Sequence, residues 1–168
     1  MDKITVIKNY FKRALEIFYK QDYENLDFEG SERAKVFRIA HYLANLVEND
    51  SIFDSYTVDC EFNRTAYDNK KHCPIIEKLV DSEIEKDSNI IPDLIVHIRT
   101  HKNGDPTKNN LLVCEFKNTE NSERDSTKVN AMLKVYHYKL GLVINLSKKE
   151  ENLNDIKFIP LSAVQCEK

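Results

Sequence analysis

Apolar residues recur at Ile4, Ile7, Phe11, Leu15 and Phe18, the three-to-four spacing of one helix face, which predicts a helix over 4–19. A polar break covers 20–30 and ends in Gly30-Ser31. Ser31 is a good N-cap for a second helix running to about Val47, with Val36, Ile39, Ala40, Leu43, Leu46 and Val47 as its apolar face. At roughly 100° per residue, Glu32 falls in the middle of that stripe, one turn ahead of Val36. An acid in a first turn complements the helix dipole, and one on a buried face points at whatever the helix covers. The period then changes from helical to two. Residues 55–63 read as a strand with Asp59, Glu61 and Asn63 on one face. Ile75, Ile76, Leu79 and Val80 suit a short helix that runs into an acidic stretch. Two apolar runs follow, at about 92–99 and 110–117, with Asn103-Gly104-Asp105-Pro106 as turn material between them. A helix over about 124–138, a buried strand Leu142 to Leu146 after Gly141, and an edge strand Ile156 to Ile159 complete the chain. The order is helix, helix, three strands, helix, strand, which predicts an α/β fold with a mixed central sheet flanked by helices.

The composition suits one domain with a proper core: 168 residues, 41% hydrophobic and 32% charged, with only three glycines and four prolines. No run of about 18 apolar residues is present, so no membrane span is expected. Acids at Asp2 and Glu16 and the lack of a small-residue cleavage site argue against a signal peptide. Cys60, Cys73, Cys114 and Cys166 form no CxxC pair, which suggests free thiols in a reducing cytoplasm and no zinc site. The net charge of −3 is unevenly spread: residues 1–90 carry 13 Lys and Arg against 18 Asp and Glu, whereas 99–149 carry 10 against 5. The basic half suits a polyanion, although an ordinary solvated surface reads the same way.

The chemistry concentrates at the ends of the two central runs, Pro92-Asp93-Leu94-Ile95-Val96-His97 and Leu111-Leu112-Val113-Cys114-Glu115-Phe116-Lys117. Paired as a hairpin, these runs bring their charged ends together. If Arg99 pairs with Leu111, Asp93 sits opposite Lys117; a two-residue slip sets it opposite Glu115. Both registers gather Asp93, Glu115 and Lys117 within about 4.5–8 Å. Two carboxylates and an ammonium at the end of a buried sheet are costly unless a metal ion or a phosphate compensates them. Two carboxylates supply hard oxygen ligands to Mg²⁺ or Mn²⁺, and the ion lowers the pKa of a bound water and neutralises phosphate charge. A lysine beside it can orient or help deprotonate the attacking water and stabilise the phosphorane-like transition state. The backbone carbonyl of Phe116 is a further candidate ligand, and Glu32, on a helix that must pack against this sheet, another. Arg99 shares a strand face with Asp93 and is a candidate substrate contact. Asp59 and Glu61 suit pairing with Arg64 or Arg99 better than metal binding, and His97 suits packing.

The Pro92-Asp93 pair, a strand, a loop, and Glu115-Phe116-Lys117 closing the next strand resemble the PD-(D/E)xK nuclease superfamily, in particular its small stand-alone members. Val58-Asp59-Cys60-Glu61-Phe62-Asn63-Arg64 adds to the likeness, which covers roughly residues 30–147. The resemblance implies the restriction-endonuclease-like αβββαβ core, with 1–29 as an N-terminal helical extension and 148–168 as an edge strand and tail. It implies catalytic Asp93, Glu115, Lys117 and Glu32, with Asp125 and Lys128 in the region where relatives place phosphate-contacting residues. The reaction implied is metal-dependent hydrolysis of phosphodiesters, by Mg²⁺ or Mn²⁺ and water, with DNA as partner. Many such nucleases act as homodimers, and the amphipathic helix 4–19, outside that core, is a candidate dimer surface. An acid-x-Lys triplet alone discriminates little, since Asp68-Asn69-Lys70 and Asp155-Ile156-Lys157 also fit it. The competing readings are a nuclease-like domain that binds nucleic acid or a protein without cleaving, and a hairpin whose ends carry solvated charges.

Overall fold

Local capping explains where both N-terminal helices begin. The Asp2 carboxylate accepts hydrogen bonds from the Thr5 N–H at 3.0 Å and the Thr5 hydroxyl at 2.6 Å, opening α1 (Lys3–Gln21). Ser31 Oγ accepts from the Ala34 N–H at 3.2 Å and opens α2 (Glu32–Glu48), the cap expected from the sequence. In the computed structural model, residues 2–24, 31–62, 90–99, 109–118 and 123–165 are described. After α2 a single 3-10 turn (Ser51–Phe53) leads into β1 (Tyr56–Cys60), followed by β2 (Leu94–Ile98), β3 (Asn110–Lys117), α3 (Glu123–Tyr136), β4 (Leu140–Asn145), α4 (Lys149–Asn154), β5 (Ile159–Pro160) and α5 (Leu161–Gln165).

The strands form one five-stranded mixed sheet in the order β1-β2-β3-β4-β5. β1, β2 and β3 are antiparallel neighbours, β4 runs parallel to β3 through the α3 crossover, and β5 lies antiparallel at the edge. Alternation sends Leu94, Val96, Leu112, Cys114 and Phe116 to one face, where they join the apolar sides of α1 and α2. Ile95 and Val113 go to the other face and pack with Val129, Met132 and Leu133 of α3. The sheet is thus covered on both faces by helices, an α/β arrangement as expected. Between Val96 and His97 the register shifts, so that Val96 faces Leu112 but His97 faces Asn110. Leu111 is the extra residue, and it joins the same apolar cluster as its neighbour Leu112.

Several expectations change at this level. Helix 4–19 was a candidate dimer surface, but its apolar face is consumed within the chain. Ile7, Phe11, Ala14, Leu15 and Phe18 are all buried, and the Phe11 ring lies 6.3 Å from that of Phe116. The strand expected over 55–63 ends at Cys60, because Glu61 takes a left-handed backbone (φ 50°). The shared face of Asp59, Glu61 and Asn63 therefore does not continue past Asp59, and Asn63 lies outside the described residues. Leu140 and Gly141 belong to β4, which begins two residues before the expected Leu142. The edge strand starts at Ile159 instead of Ile156; ahead of it the Phe158 ring packs edge-on against Phe11 at 6.1 Å. α3 stops at Tyr136, where His137 adopts φ 55°. The helix expected near 75–80 and the turn at 103–106 lie outside the described residues. Cys60 and Cys114 are free thiols, as expected; Cys73 and Cys166 also lie outside. No helix among the described residues is long and apolar enough to cross a membrane.

Gly141 is not a strand breaker: it lies within β4 where Val129 and Leu133 of α3 leave no room for a side chain. A Cβ there would overlap Val129 Cγ1 and come within 2.9 Å of Leu133 Cδ1. Gly141→Ala is expected to push α3 outward at a cost of about 1–3 kcal/mol, the usual penalty for overpacking. Urea unfolding would read this as a lower midpoint at unchanged slope; an unshifted midpoint would show that Val129 and Leu133 repack freely.

Candidate active site

The two central strands settle the choice of register. Leu94 pairs with Cys114 and Ile95 with Val113, which extends outward to set Asp93 across from Glu115. That is the slipped register of the two expected. The Phe116 N–H donates to Asp93 Oδ2 at 2.7 Å, and the Glu61 N–H donates to the Asp93 carbonyl at 3.2 Å. Asp93 is therefore held between the ends of β1 and β3. In an extended strand the N–H and C=O of one residue point to the same edge, so the Phe116 carbonyl also faces the Asp93 side. The next residue faces the other way: the Lys117 carbonyl accepts from the Leu146 N–H at 2.6 Å.

Glu115 lies on the α3 face of the central strand and is 1% exposed. Lys128, from α3, donates to Glu115 Oε2 at 2.7 Å. Glu115 Oε1 is buried with no hydrogen-bond partner. Burial pushes the Glu115 carboxyl up to about 8; the neighbouring Asp93 adds to the shift, and the Lys128 ammonium opposes it. Lys117 Nζ lies 3.5 Å from Glu32 Oε1 and 3.7 Å from Asp125 Oδ1, so the ammonium bridges α2 and α3 across the end of β3. Burial works against this charge, but Glu32, Asp125, Asp93 and Glu115 outweigh it and hold the lysine above its ordinary pKa. The other oxygen of Glu32 accepts from the Asn118 N–H at 3.0 Å.

Six of the eight residues expected at or near the chemistry lie together through their side chains: Glu32, Asp93, Glu115, Lys117, Asp125 and Lys128, with the Phe116 backbone between them. Arg99 is placed elsewhere. It binds both oxygens of Asp59, whose Oδ2 is also 2.8 Å from His97 Nε2. The Asp59–Arg99 pairing is the one expected, and Glu61 turns instead to Arg33 at 2.5 Å. The rival triplet Asp155-Ile156-Lys157 is an exposed ion pair of 3.5 Å outside the sheet end. Cys60, near Asp93, is an exposed residue whose thiol is nonetheless pushed up to about 11 by desolvation and by the carboxylates of Asp59, Glu61 and Asp93.

The partnerships within the site are less legible in the sequence. Asp125 and Lys128 are three apart, on the helix face that also buries Val129 and Met132. Polar residues on an inward face were the available signal, and only the resemblance pointed to them. The Asn118 amide left no signal, since any residue there supplies an N–H. Also unread in advance was a cleft of ≈ 740 Å³ opening beside Glu32 and Asp93.

The electrostatics leave a deficit. Four carboxylates, Glu32, Asp93, Glu115 and Asp125, surround two ammonium groups. Fully ionised, the cluster lacks the charge of one divalent cation. The orphaned Glu115 oxygen, Asp93 across from it and a carbonyl facing the same side are hard donors suited to Mg²⁺ or Mn²⁺. Among the described residues no three His, Cys, Asp or Glu side chains form a ready metal-binding group; Glu32 meets the site through Lys117 and Asn118. Mg²⁺ commonly binds through one or two carboxylates and keeps several waters, so the donors present fit it.

No family model, curated protein or solved structure matches the chain.

Two pH effects follow, of opposite sign. The Glu115 carboxyl titrates near 4.5 when unfolded and at about 8 when folded, so between these values the metal-free native state binds the extra proton. Its stability is expected to fall as pH rises through that window, by up to about 1.4 kcal/mol per pH unit. Denaturant melts in EDTA should show Glu115→Gln flattening the slope; an unaltered slope would place the burial penalty elsewhere. At Asp59, burial opposes the charge, but hydrogen bonds from His97 and Arg99 prevail and hold the carboxyl down to about 2. This contribution is complete above the ordinary 3.8 and lost as pH falls through about 2. Asp59→Asn is expected to cost about 2 kcal/mol near neutral pH, with the difference shrinking in acid; equal melts of the two proteins at neutral pH would contradict it.

Proposed function

We propose that this chain is a metal-dependent nuclease of the PD-(D/E)xK, restriction-endonuclease-like kind that hydrolyses DNA phosphodiester bonds. The observation that carries the reading is the buried, half-unpartnered Glu115 with Asp93 across from it and Lys117 two residues on. The order α2, β1, β2, β3, α3, β4 supports the expected αβββαβ core. Asp93, Glu115 and the Phe116 carbonyl are the groups that would hold Mg²⁺ or Mn²⁺. When bound, the ion supplies Lewis acidity toward phosphate oxygens and lowers the pKa of water.

The protein's own groups divide the remaining work. Phe116 N–H fixes the Asp93 carboxylate. Lys117, held charged by four surrounding carboxylates, is an ammonium at neutral pH. Its role is electrostatic: it stabilises negative charge as this builds on the phosphate, in place of taking a proton. Glu32 and Asp125 position that ammonium from either side. Lys128 balances Glu115 and offers a second cation to the same phosphate.

One observation favours a second reading, a nuclease-like domain that binds nucleic acid or a protein partner without cutting. The Lys128 ammonium already satisfies one Glu115 oxygen at 2.7 Å. The two readings separate on titration of Mg²⁺ or Mn²⁺ followed by thermal melting, with cleavage of plasmid, single-stranded and branched DNA. Asp93→Ala is expected to abolish both the metal-induced stabilisation and cleavage. Lys117→Ala should keep the stabilisation and lose at least about 100-fold in cleavage rate, the usual cost of one transition-state charge contact. Cleavage that survives Asp93→Ala would sink the proposal; metal binding with no polynucleotide cut would favour the second reading.

A further inference from the structure

The cleft of ≈ 740 Å³ lies between the first turns of α2 and the ends of β1 and β2. Its volume is within the ~300–1,000 Å³ of small-ligand sites. Asp93 and Glu32 lie on its wall, so it is continuous with the candidate active site. Its charged lining is paired within the chain: Arg33 with Glu61 at 2.5 Å, Arg38 with Asp22 at 3.1 Å, Glu32 with Lys117 at 3.5 Å. The part left uncovered is aromatic. Phe37 is 64% exposed, one of the two large apolar side chains so exposed among the described residues, and it stands on the cleft wall beside Val36. Arg33, one turn before it, also lines the cleft, and its guanidinium is held by Glu61.

A flat, exposed apolar ring on the wall of a cleft that also holds Glu32 and Asp93 matches the face of a nucleobase. Inside a duplex both faces of each base are covered by its neighbours, and only the end pairs expose one. A base that lies against Phe37 must therefore be unstacked on at least one face, on a strand that enters the cleft shared with Asp93. A purely phosphate-binding wall would carry unpaired cations, and here the lining arginines are engaged with carboxylates.

We infer that this cleft receives an unpaired nucleobase stacked on Phe37, so that the substrate is single-stranded or locally unpaired DNA. The identity of the strand rests on the nuclease reading, while the base site itself is testable apart from it. Binding of fluorescein-labelled oligothymidylate, its abasic counterpart and a blunt duplex of equal length is followed by anisotropy in EDTA, where neither metal nor cleavage enters. Wild type is expected to bind oligothymidylate more tightly than either of the others. Phe37→Ala should weaken oligothymidylate binding about tenfold, leave the abasic strand unaffected, and be rescued by Phe37→Tyr. Because the ring is largely exposed, thermal melting should show the variants folded as wild type.

Equal binding of the oligothymidylate and abasic strands, no measurable binding of either, or indifference to Phe37→Ala overturns the base site. A dimer in sedimentation that Phe37→Ala dissolves also overturns it, by making the ring a contact between copies. Base-dependent binding without cleavage of any DNA in Mg²⁺ or Mn²⁺ leaves the base site standing and removes the nuclease reading. Cleavage lost in Asp93→Ala but equal on duplex and single strand, with Phe37→Ala inert, does the reverse.

Discussion

A carboxylate buried on the central strand is the constraint to which the surrounding elements answer. An uncompensated charge at Glu115 would cost several kcal/mol in desolvation. The fold answers with Lys128 from α3, but it also sets Asp93 beside the same group, which works against ionisation. An apolar residue at position 115 would relieve the strain at once, and the flanking strand positions Val113 and Phe116 show that the core accepts such residues readily. The apolar layers on the two faces of the sheet supply the stability against which this unfavourable site is held.

The site is a junction of four elements drawn from distant parts of the chain. α2 brings Glu32, the start of β2 brings Asp93, the end of β3 brings Glu115 and Lys117, and α3 brings Asp125 and Lys128. Lys117 and the Asn118 amide tie α2 to the strand end, and the same lysine reaches α3. Each contact is weak alone, yet together they set the two helices on either side of one short stretch of backbone. The polar cluster and the two-sided packing are thereby coupled: a shift of α2 carries Glu32, a shift of α3 carries Asp125 and Lys128, and either one pulls on Lys117.

How much of this was legible follows from the physics of each signal. Helix faces were, because Ser31 and the apolar stripe after it are local patterns, and burial of Val36, Ile39 and Leu43 matches them. The convergence of Asp93 and Glu115 was legible because period-two alternation leaves few registers, and either brought the charges together. What escaped was set by tertiary context. Helix α1 reads only as amphipathic, and nothing in its sequence says that Phe116 waits for Phe11. Gly141 reads as punctuation until α3 is laid over it. Glu61 belongs to the strand by alternation, and only its backbone turn and its bond to Arg33 remove it.

The irregularity between Val96 and His97 has a consequence for how this chain tolerates change. Beyond it, on the side away from the site, one strand carries a residue that the other does not match. Strand phase is therefore set separately on the two sides of that point. At that point the surplus residue, Leu111, is housed among apolar neighbours. The pairing of Leu94 with Cys114, and with it the meeting of the two acids, keeps its own phase on the site side of the irregularity. The two strands behave as a coupling with slack at the irregularity and a fixed phase at the root.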